Sequence, residues 1–404
     1  MRRKTRFDPA YVQRMGEKMN NDLKRGIRLF LAAAFLDSLC FYAPVASLYR
    51  LASGMTMFQI TVTESCFFIV SMLLELPWGF LTERIGCRKT LVMAGALHLA
   101  AQLLFLAADS FWLFLLQRCV LAAAASGCSG CDAAYLSSLS GREKEHRVLG
   151  YYHAVLFTAV SAAGLFFPLA VRVGYRGLAA LTAVSVGAAS LLRSLLPDTQ
   201  CSIENCRTTG QQIREVGEML MENKALLVFI VSGAVLSETE HTFTVFFSSP
   251  AWQAASVPEL WYGALNVILN LAGAGGSLAS IWLSGRQGEK RGKAVAVFWG
   301  LAVFASVGLW AAEESLWCVL LFPVFRFAAQ GYLPCEQSLK LDRTGKAGKA
   351  ASLSAYNMII SAAGIILGPV MGVCTRQGLS GGFFAGSLLL LAGAVLAAGA
   401  WRRM

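Results

Sequence analysis

The chain has 404 residues, 56% of them apolar and 15% charged, with a formal net charge of +11. Soluble domains carry about a quarter charged residues, whereas here apolar runs long enough to cross a ~30 Å hydrocarbon core as helices recur along the whole length. This excludes a soluble globular protein and predicts an all-α membrane protein.

The first 26 residues are polar and basic (Arg2, Arg3, Lys4, Arg6, Arg14, Lys18, Lys24, Arg25) and read as a cytoplasmic tail. A secretory signal has a short apolar core and a small-residue cleavage site. The first apolar run is too long and too late for one, so it stays as helix 1. Twelve helices are predicted, at 27–49, 56–82, 90–108, 111–138, 149–171, 177–196, 224–247, 258–284, 292–311, 315–338, 350–374 and 379–401. The connections are short except 197–223, a linker that separates a six-helix bundle over 27–196 from a second over 224–404. Within the linker, Ile213, Val216, Met219 and Leu220 recur at helical spacing and predict a short amphipathic helix along the inner membrane face.

Positive residues stay on the cytoplasmic side of membranes. With the N-terminus inside, almost all of the 35 lysines and arginines fall inside. Only Arg50, Arg172, Arg176 and Arg376 fall outside, and Arg118 and Arg326 lie within helices 4 and 10. Both termini are therefore expected in the cytoplasm of a multi-pass plasma-membrane protein. The basic excess is a topology signal, and no nucleic acid partner is expected.

A shift of 202 residues lays Arg84-Ile-Gly86-Cys-Arg88-Lys89 on Arg286-Gln-Gly288-Glu-Lys290-Arg291. The same shift brings Asp37 beside Glu238, and Cys131-Asp132 close to Cys335-Glu336. These matches predict two pseudo-symmetric six-helix halves. The eleven cysteines lie mostly within apolar runs and act as small fillers. Cys128 and Cys131 make a CxxC inside a small-residue membrane helix, and Glu238 with His241 lacks the second acid–histidine set that a metal would need, so no metal and no cofactor is expected.

The connection between helices 2 and 3 reads Gly79-Phe-Leu-Thr-Glu83-Arg84-Ile-Gly86-Cys87-Arg88-Lys89. Gly79 permits close helix approach, Glu83 and Arg84 are polar at the interface, and Gly86 supplies a sharp turn. The run resembles the loop signature of the major facilitator superfamily of membrane transporters. The resemblance implies that Gly79, Glu83, Arg84, Gly86 and Arg88 pair the two halves on the cytoplasmic side and control switching between outward-facing and inward-facing states. It departs from the pattern in having glutamate where aspartate is usual and Cys87 where a base is usual. Glu75-Leu-Pro77-Trp-Gly79 upstream is similar to a bacterial variant of the family. The sharp motif covers this loop alone, while the topology covers the whole chain. The second half would repeat the gate with Arg286, Gly288 and Lys290. By the same resemblance Asp132 is expected near Arg84 or Arg88, and Glu336 near Arg286 or Lys290.

An ionisable residue at membrane depth costs several kcal/mol and normally faces a cavity or a partner. Asp37, Arg118, Glu238, Glu240, His241 and Arg326 lie on helices 1, 4, 7 and 10, which line the central cavity of the family fold. The residues Asp37, Glu64, Arg118, Glu238, His241 and Arg326 are therefore expected to form a substrate and proton site. The alternative is that Asp37–Arg118 and a helix 7 acid with Arg326 are structural ion pairs. Glu238 and Glu240 point about 200° apart on a helix, and His241 shares the face of Glu238, so Glu238 and His241 are taken as the inward pair. Glu64 is a further proton site or an interdomain hydrogen-bonding group. Arg118-Cys-Val-Leu-Ala-Ala partly resembles a helix 4 motif of proton-coupled members. Gly364, Gly368, Pro369 and Gly372 predict a flexing, small-residue contact in helix 11.

The leading expectation is a secondary transporter that moves a small molecule by alternating access, coupled to protons, drug-efflux-like and monomeric. The alternative is a metabolite porter for an organic anion or a sugar, with Arg118 and Arg326 holding an anion. A polytopic enzyme acting on lipid-linked substrates is a third class, disfavoured by short basic loops. There is no GxxxxGK[ST] loop for ATP.

Overall fold

A computed structural model of the chain describes residues 9–140, 145–199, 224–284, 288–312, 315–342 and 349–403. These residues are helical throughout, with no strand among them. Span 1 is the helix Pro9–Asp37 followed, after a break, by a tight turn Ala43–Val45 and a short helix Ala46–Ala52. Span 2 is Met57–Ile85, span 3 Cys87–Ala107, and span 4 the helices Phe111–Cys128 and Cys131–Ser140. Span 5 is Glu145–Ala170 and span 6 Gly174–Ser194. Span 7 comprises Lys224–His241, a π turn Thr242–Phe247, and Ser248–Ala254. Spans 8 to 12 are Tyr262–Ser284, Gly288–Ala311, Trp317–Asp342, Lys349–Cys374 and Leu379–Arg403.

The expected helices are found, with four differences, one being the break of helix 4 at Ser129 and Gly130. The first helix starts at Pro9, well before residue 27, because polar residues continue it beyond the apolar stretch. Helix 1 is interrupted after Asp37 rather than running unbroken to 49. Helix 7 carries a π turn and continues to Ala254. The predicted amphipathic helix in the linker lies outside the described residues.

Local chemistry sets the boundaries. Thr56 and Gln59 close a reciprocal capping box that starts span 2: the Gln59 amide N–H donates to Thr56 Oγ1 at 3.2 Å, and the Thr56 N–H donates to Gln59 Oε1 at 2.9 Å. Spans 2 and 3 are separated by Gly86 alone, whose φ of 86° only glycine adopts without strain.

Span 1 packs on spans 5 and 6, span 3 on spans 4 and 6, and span 2 on span 4. In the second half span 10 packs on spans 8 and 9, and span 12 on spans 7 and 9. The two sets touch through span 2 against span 11 and span 5 against span 8. The described contacts across this seam lie at the far side, opposite the chain termini. Gly164 and Gly263 bring spans 5 and 8 together so closely that a side chain at Gly263 would run into the Gly164 carbonyl and Phe167. A side chain at Gly372 of span 11 would strike Thr61 and Phe58 of span 2. Ser65 Oγ donates to the Ile365 carbonyl at 2.9 Å, Ser47 Oγ to the Val245 carbonyl at 3.3 Å, and Tyr175 OH to Glu259 Oε1 at 2.7 Å. The far side is closed.

Leucine at Gly263 cannot be seated without parting spans 5 and 8. We expect Gly263→Leu to speed maleimide labelling of a cysteine placed at the buried Ser47 by roughly tenfold, the population shift that ~1.4 kcal/mol produces. Equal labelling with and without Gly263→Leu would show that this glycine pair does not hold the far side shut.

Candidate functional site

The expected Asp37–Arg118 pair does not form. Asp37 is the last residue of the first helix of span 1 and turns toward spans 3 and 6. Arg193 Nη2 donates to Asp37 Oδ2 at 3.0 Å, and His98 Nδ1 lies 2.9 Å from Oδ1. Arg118 instead donates to Glu64 of span 2, with its guanidinium 4.8 Å from the Phe67 ring centre. The reason is packing. Span 4 lies on span 2, while span 1 lies on span 6, so each charge closes on the carboxylate that its own neighbours present. Glu64, expected as a proton site or an interdomain group, is thus a partner within its own half.

Three members of this network were not singled out from sequence. Arg193 sits at the end of a predicted span, where a base reads as part of an inner loop. His98 and Gln102 sit i and i+4 within the apolar run of span 3, and that polar spacing was the available signal. Together they make a chain. Tyr42 OH donates to Gln102 Oε1 at 2.9 Å, Gln102 Nε2 donates to His98 Nε2 at 2.9 Å, and His98 faces Asp37 through Nδ1. This order of donors and acceptors closes with His98 neutral and its proton on Nδ1. Arg50, expected outside, is 4% exposed, because helix Ala46–Ala52 turns it inward over the Phe105 ring at 5.6 Å.

In the second half Arg326 of span 10 donates to Glu240 of span 7 and, at 3.2 Å, to Thr244 Oγ1. Gln330 Nε2 and Thr244 Oγ1 also donate to the Glu240 carboxylate, at 3.4 and 3.0 Å. The helix 7 acid that meets Arg326 is therefore Glu240, which belongs with the site residues. Glu238 faces the opposite way, as the helical period requires. It is 3% exposed, accepts from Thr242 Oγ1 at 3.1 Å, and has His241 Nδ1 at 3.9 Å. Its oxygens lie against span 11. A methyl at Gly368 would stand 3.3 Å from Oε1, and one at Gly364 would stand 2.9 Å from Oε2 and 2.6 Å from the Phe68 ring of span 2. Glu238 thus sits on the seam where spans 2, 7 and 11 meet, beside Gly368 and Pro369 and one turn from Gly372.

The loop signature occupies the end of the molecule that bears the termini. Glu83 and Arg84 are exposed and Gly79 is half-buried. Asp132 does not meet Arg84 or Arg88. Tyr152 OH donates to Asp132 Oδ2 at 2.7 Å between spans 4 and 5, whereas Arg88 bonds Asp198 Oδ2 at 2.8 Å and the Ser194 carbonyl at 3.0 Å. Arg88 lies in the first turn of span 3, beside the C-terminal end of span 6, where free carbonyls attract a cation. Glu336 is 1% exposed and packs against Gly233 of span 7. Of its expected partners, Arg286 lies outside the described residues and the side chain of Lys290 is not described. Gly288 opens span 9.

An all-helical, multi-pass chain with ion pairs buried inside each half and a glycine-lined seam between the halves is built as a membrane transporter rather than as an enzyme. Residues 29–369 match the family model described as Major Facilitator Superfamily, and the chain belongs to that family. It is 24% identical over 367 residues to the inner membrane transport protein YajR of Escherichia coli (strain K12), covering 88% of this chain and 76% of YajR. Among solved structures it resembles a bacterial homolog of the human lysosomal transporter Spinster in an inward-facing, unoccupied conformation, with TM-score 0.74 and 14% identity, covering 95% of this chain and 97% of that one. It also resembles the nucleoside transporter NupG, with TM-score 0.72 and 11% identity, covering 93% and 98% of the two chains.

Breaking a buried ion pair from one side leaves a charge with no partner and costs about 3–5 kcal/mol, whereas replacing both members is close to neutral. Glu64→Gln alone should lower the thermal midpoint of the purified protein, and the double variant Glu64→Met, Arg118→Met should recover most of the loss. A double variant as unstable as Glu64→Gln would show that the pair is not a self-contained unit.

Proposed function

We propose that the protein is a proton-coupled porter of a small polar molecule without a full negative charge, working by alternating access, with Glu238 and His241 as its coupling site. The observation that carries this reading is the position of Glu238. It is a buried carboxylate on the seam between the halves, with a hydroxyl and a histidine near it where the other membrane-depth acids have an arginine. Burying it charged costs more than burying it protonated, so closing the seam around it and taking up a proton favour one another. Motion of one half against the other then changes the surroundings of Glu238 directly.

The substrate class follows from charge. Arg118 and Arg326, which would hold an organic anion, are each closed on a glutamate. A neutral or cationic substrate, whether a metabolite or a drug-like compound, does not have to break these pairs. Phe67 beside Arg118, and Phe68 and Phe246 beside His241, offer apolar and π surface. On the placement of lysine and arginine we also assign both termini to the cytoplasm of a plasma-membrane protein. The units 27–196 and 224–404 then move as the two halves, with Glu83, Arg84 and Arg88 engaging the second half when the terminal side closes.

A proteoliposome screen of neutral sugars, nucleosides, lipophilic cations and organic anions, with and without a pH gradient, tests this reading. Neutral or cationic compounds should move, and the gradient should accelerate them. Glu238→Gln should abolish the acceleration while leaving counterflow measurable. Undiminished gradient dependence in Glu238→Gln would remove the coupling site, and transport confined to anions would remove the substrate class. Glu83→Ala or Arg84→Ala should reduce transport by more than expression, as measured by uptake per purified transporter.

A further inference from the structure

The proposed coupling site leaves unused a second protonatable group, deep in the first half and away from the seam. Asp37 and His98 are in contact, and 18% of each side chain remains exposed. Beside Asp37 lies a cavity of about 160 Å³ lined by Asp37, Cys128, Asp132, Tyr152, Arg193 and Phe30. Two fully buried polar atoms of its lining residues, Asp132 Oδ1 and Arg193 Nη1, have no hydrogen-bond partner among the described residues. One accepts and the other donates, and orphaned polar atoms around a polar cavity of this size are the conditions under which water occupies protein interiors.

We propose that Asp37 and His98 form a proton-binding site inside the first half, reached by water through this chamber and separate from Glu238 and His241. The groups that face it are Asp37 and Tyr42 from span 1, Gln102 from span 3 itself, and Arg193 from span 6. Asp132 and Cys128 from span 4 and Tyr152 from span 5 lie across the chamber. In the arrangement present, Arg193 and Asp37 neutralise one another and His98 is neutral. A hydronium arriving through the chamber meets the pair at Asp37 and leaves a water molecule behind, and the added proton is held as an imidazolium with two donors once the Gln102 amide no longer covers His98 Nε2. Gln102 must then turn its amide over, so that Oε1 accepts from His98 Nε2 and its NH₂ faces Tyr42. The Tyr42 hydroxyl changes from donor to acceptor in the same step.

The consequence falls on a particular piece of backbone. Tyr42 ends the break in span 1, directly before the turn Ala43–Val45. The broken segment is held by span 6, with Ser185 Oγ donating to the Leu36 carbonyl at 2.6 Å and the Phe41 N–H donating to Thr182 Oγ1 at 3.0 Å. The helix beyond the break carries Ser47, which reaches the second half at Val245. Proton binding at His98 is thus connected through Gln102 and Tyr42 to the segment that closes the far side.

The site can be read without a substrate. In purified protein labelled with ¹⁵N-histidine, the ring signals that disappear in His98→Gln identify this residue among the four histidines. We expect these signals to pass from the neutral to the imidazolium pattern as the pH is lowered. Asp37→Asn should lose the imidazolium form, and Glu238→Gln should leave the transition in place. Signals that stay neutral throughout, or a transition unchanged in Asp37→Asn, would overturn the proposal. Loss of the transition in Glu238→Gln would show one site rather than two. Access through the chamber is tested on the unaltered protein by a small hydrophilic alkylating reagent with peptide mapping. Cys128 should be modified several-fold faster than the buried Cys318, and equal, slow modification of both would overturn the water route.

Discussion

A charge inside a membrane-embedded bundle has to be closed by a partner, and in this protein the partner comes from the same half. Arg193 closes Asp37, Arg118 closes Glu64, and Arg326 closes Glu240. Because no member of these three pairs crosses the seam, the halves can slide or rock without tearing one apart. A buried pair broken on one side costs several kcal/mol, which would freeze any motion that depended on it. Keeping the pairs internal therefore makes each half rigid and leaves the seam to weaker contacts: glycine against glycine, and hydroxyls donating to carbonyls and to the Glu259 carboxylate. Glu238 is the exception, because it faces the seam with no guanidinium of its own.

The repeat in the sequence extends to its irregularities. The interruption of span 1 near residues 38–45 and the π turn Thr242–Phe247 of span 7 fall together under the same shift of 202 residues that aligns the two loop signatures. Both place a carboxylate at or just before the irregular segment, and both lead into a short helix at the far side. Discontinuous helices in transporters free backbone groups at mid-membrane. Here the freed groups are taken up by hydroxyls of span 6 in one half and by Thr244 in the other.

Much of the fold was legible because membrane burial leaves a coarse mark: an apolar run of a given length is a span wherever it packs. The loop signature was legible because its glycine and its charges are local. The pairing of charges was not, since it depends on which span lies beside which. Asp37 and Arg118 stand on helices expected to share a cavity, yet span 1 shows Asp37 to span 6 and span 4 shows Arg118 to span 2. Periodicity separated Glu238 from Glu240 correctly, but it had no means of deciding which face met Arg326. Arg193 was hidden by lying near a boundary, where a base reads as loop. The helical residues before 27 were hidden for a related reason, since a search for apolar runs finds the membrane and not the helix.

The bond from Ser47 to the Val245 carbonyl has a cause six residues wide. In a π turn a carbonyl looks for the amide five residues ahead, and five residues beyond Val245 is Pro250, which has no N–H to give. The Val245 oxygen therefore has no donor five residues ahead in its own helix, and the hydroxyl from which it accepts belongs to the other half. A proline that in most helices would be a defect here manufactures an acceptor on the seam. A span 7 straightened into a regular α-helix would offer that oxygen the Ser249 N–H, four residues ahead, and reclaim it. The molecule would gain a more regular helix and lose one of the bonds that close its far side.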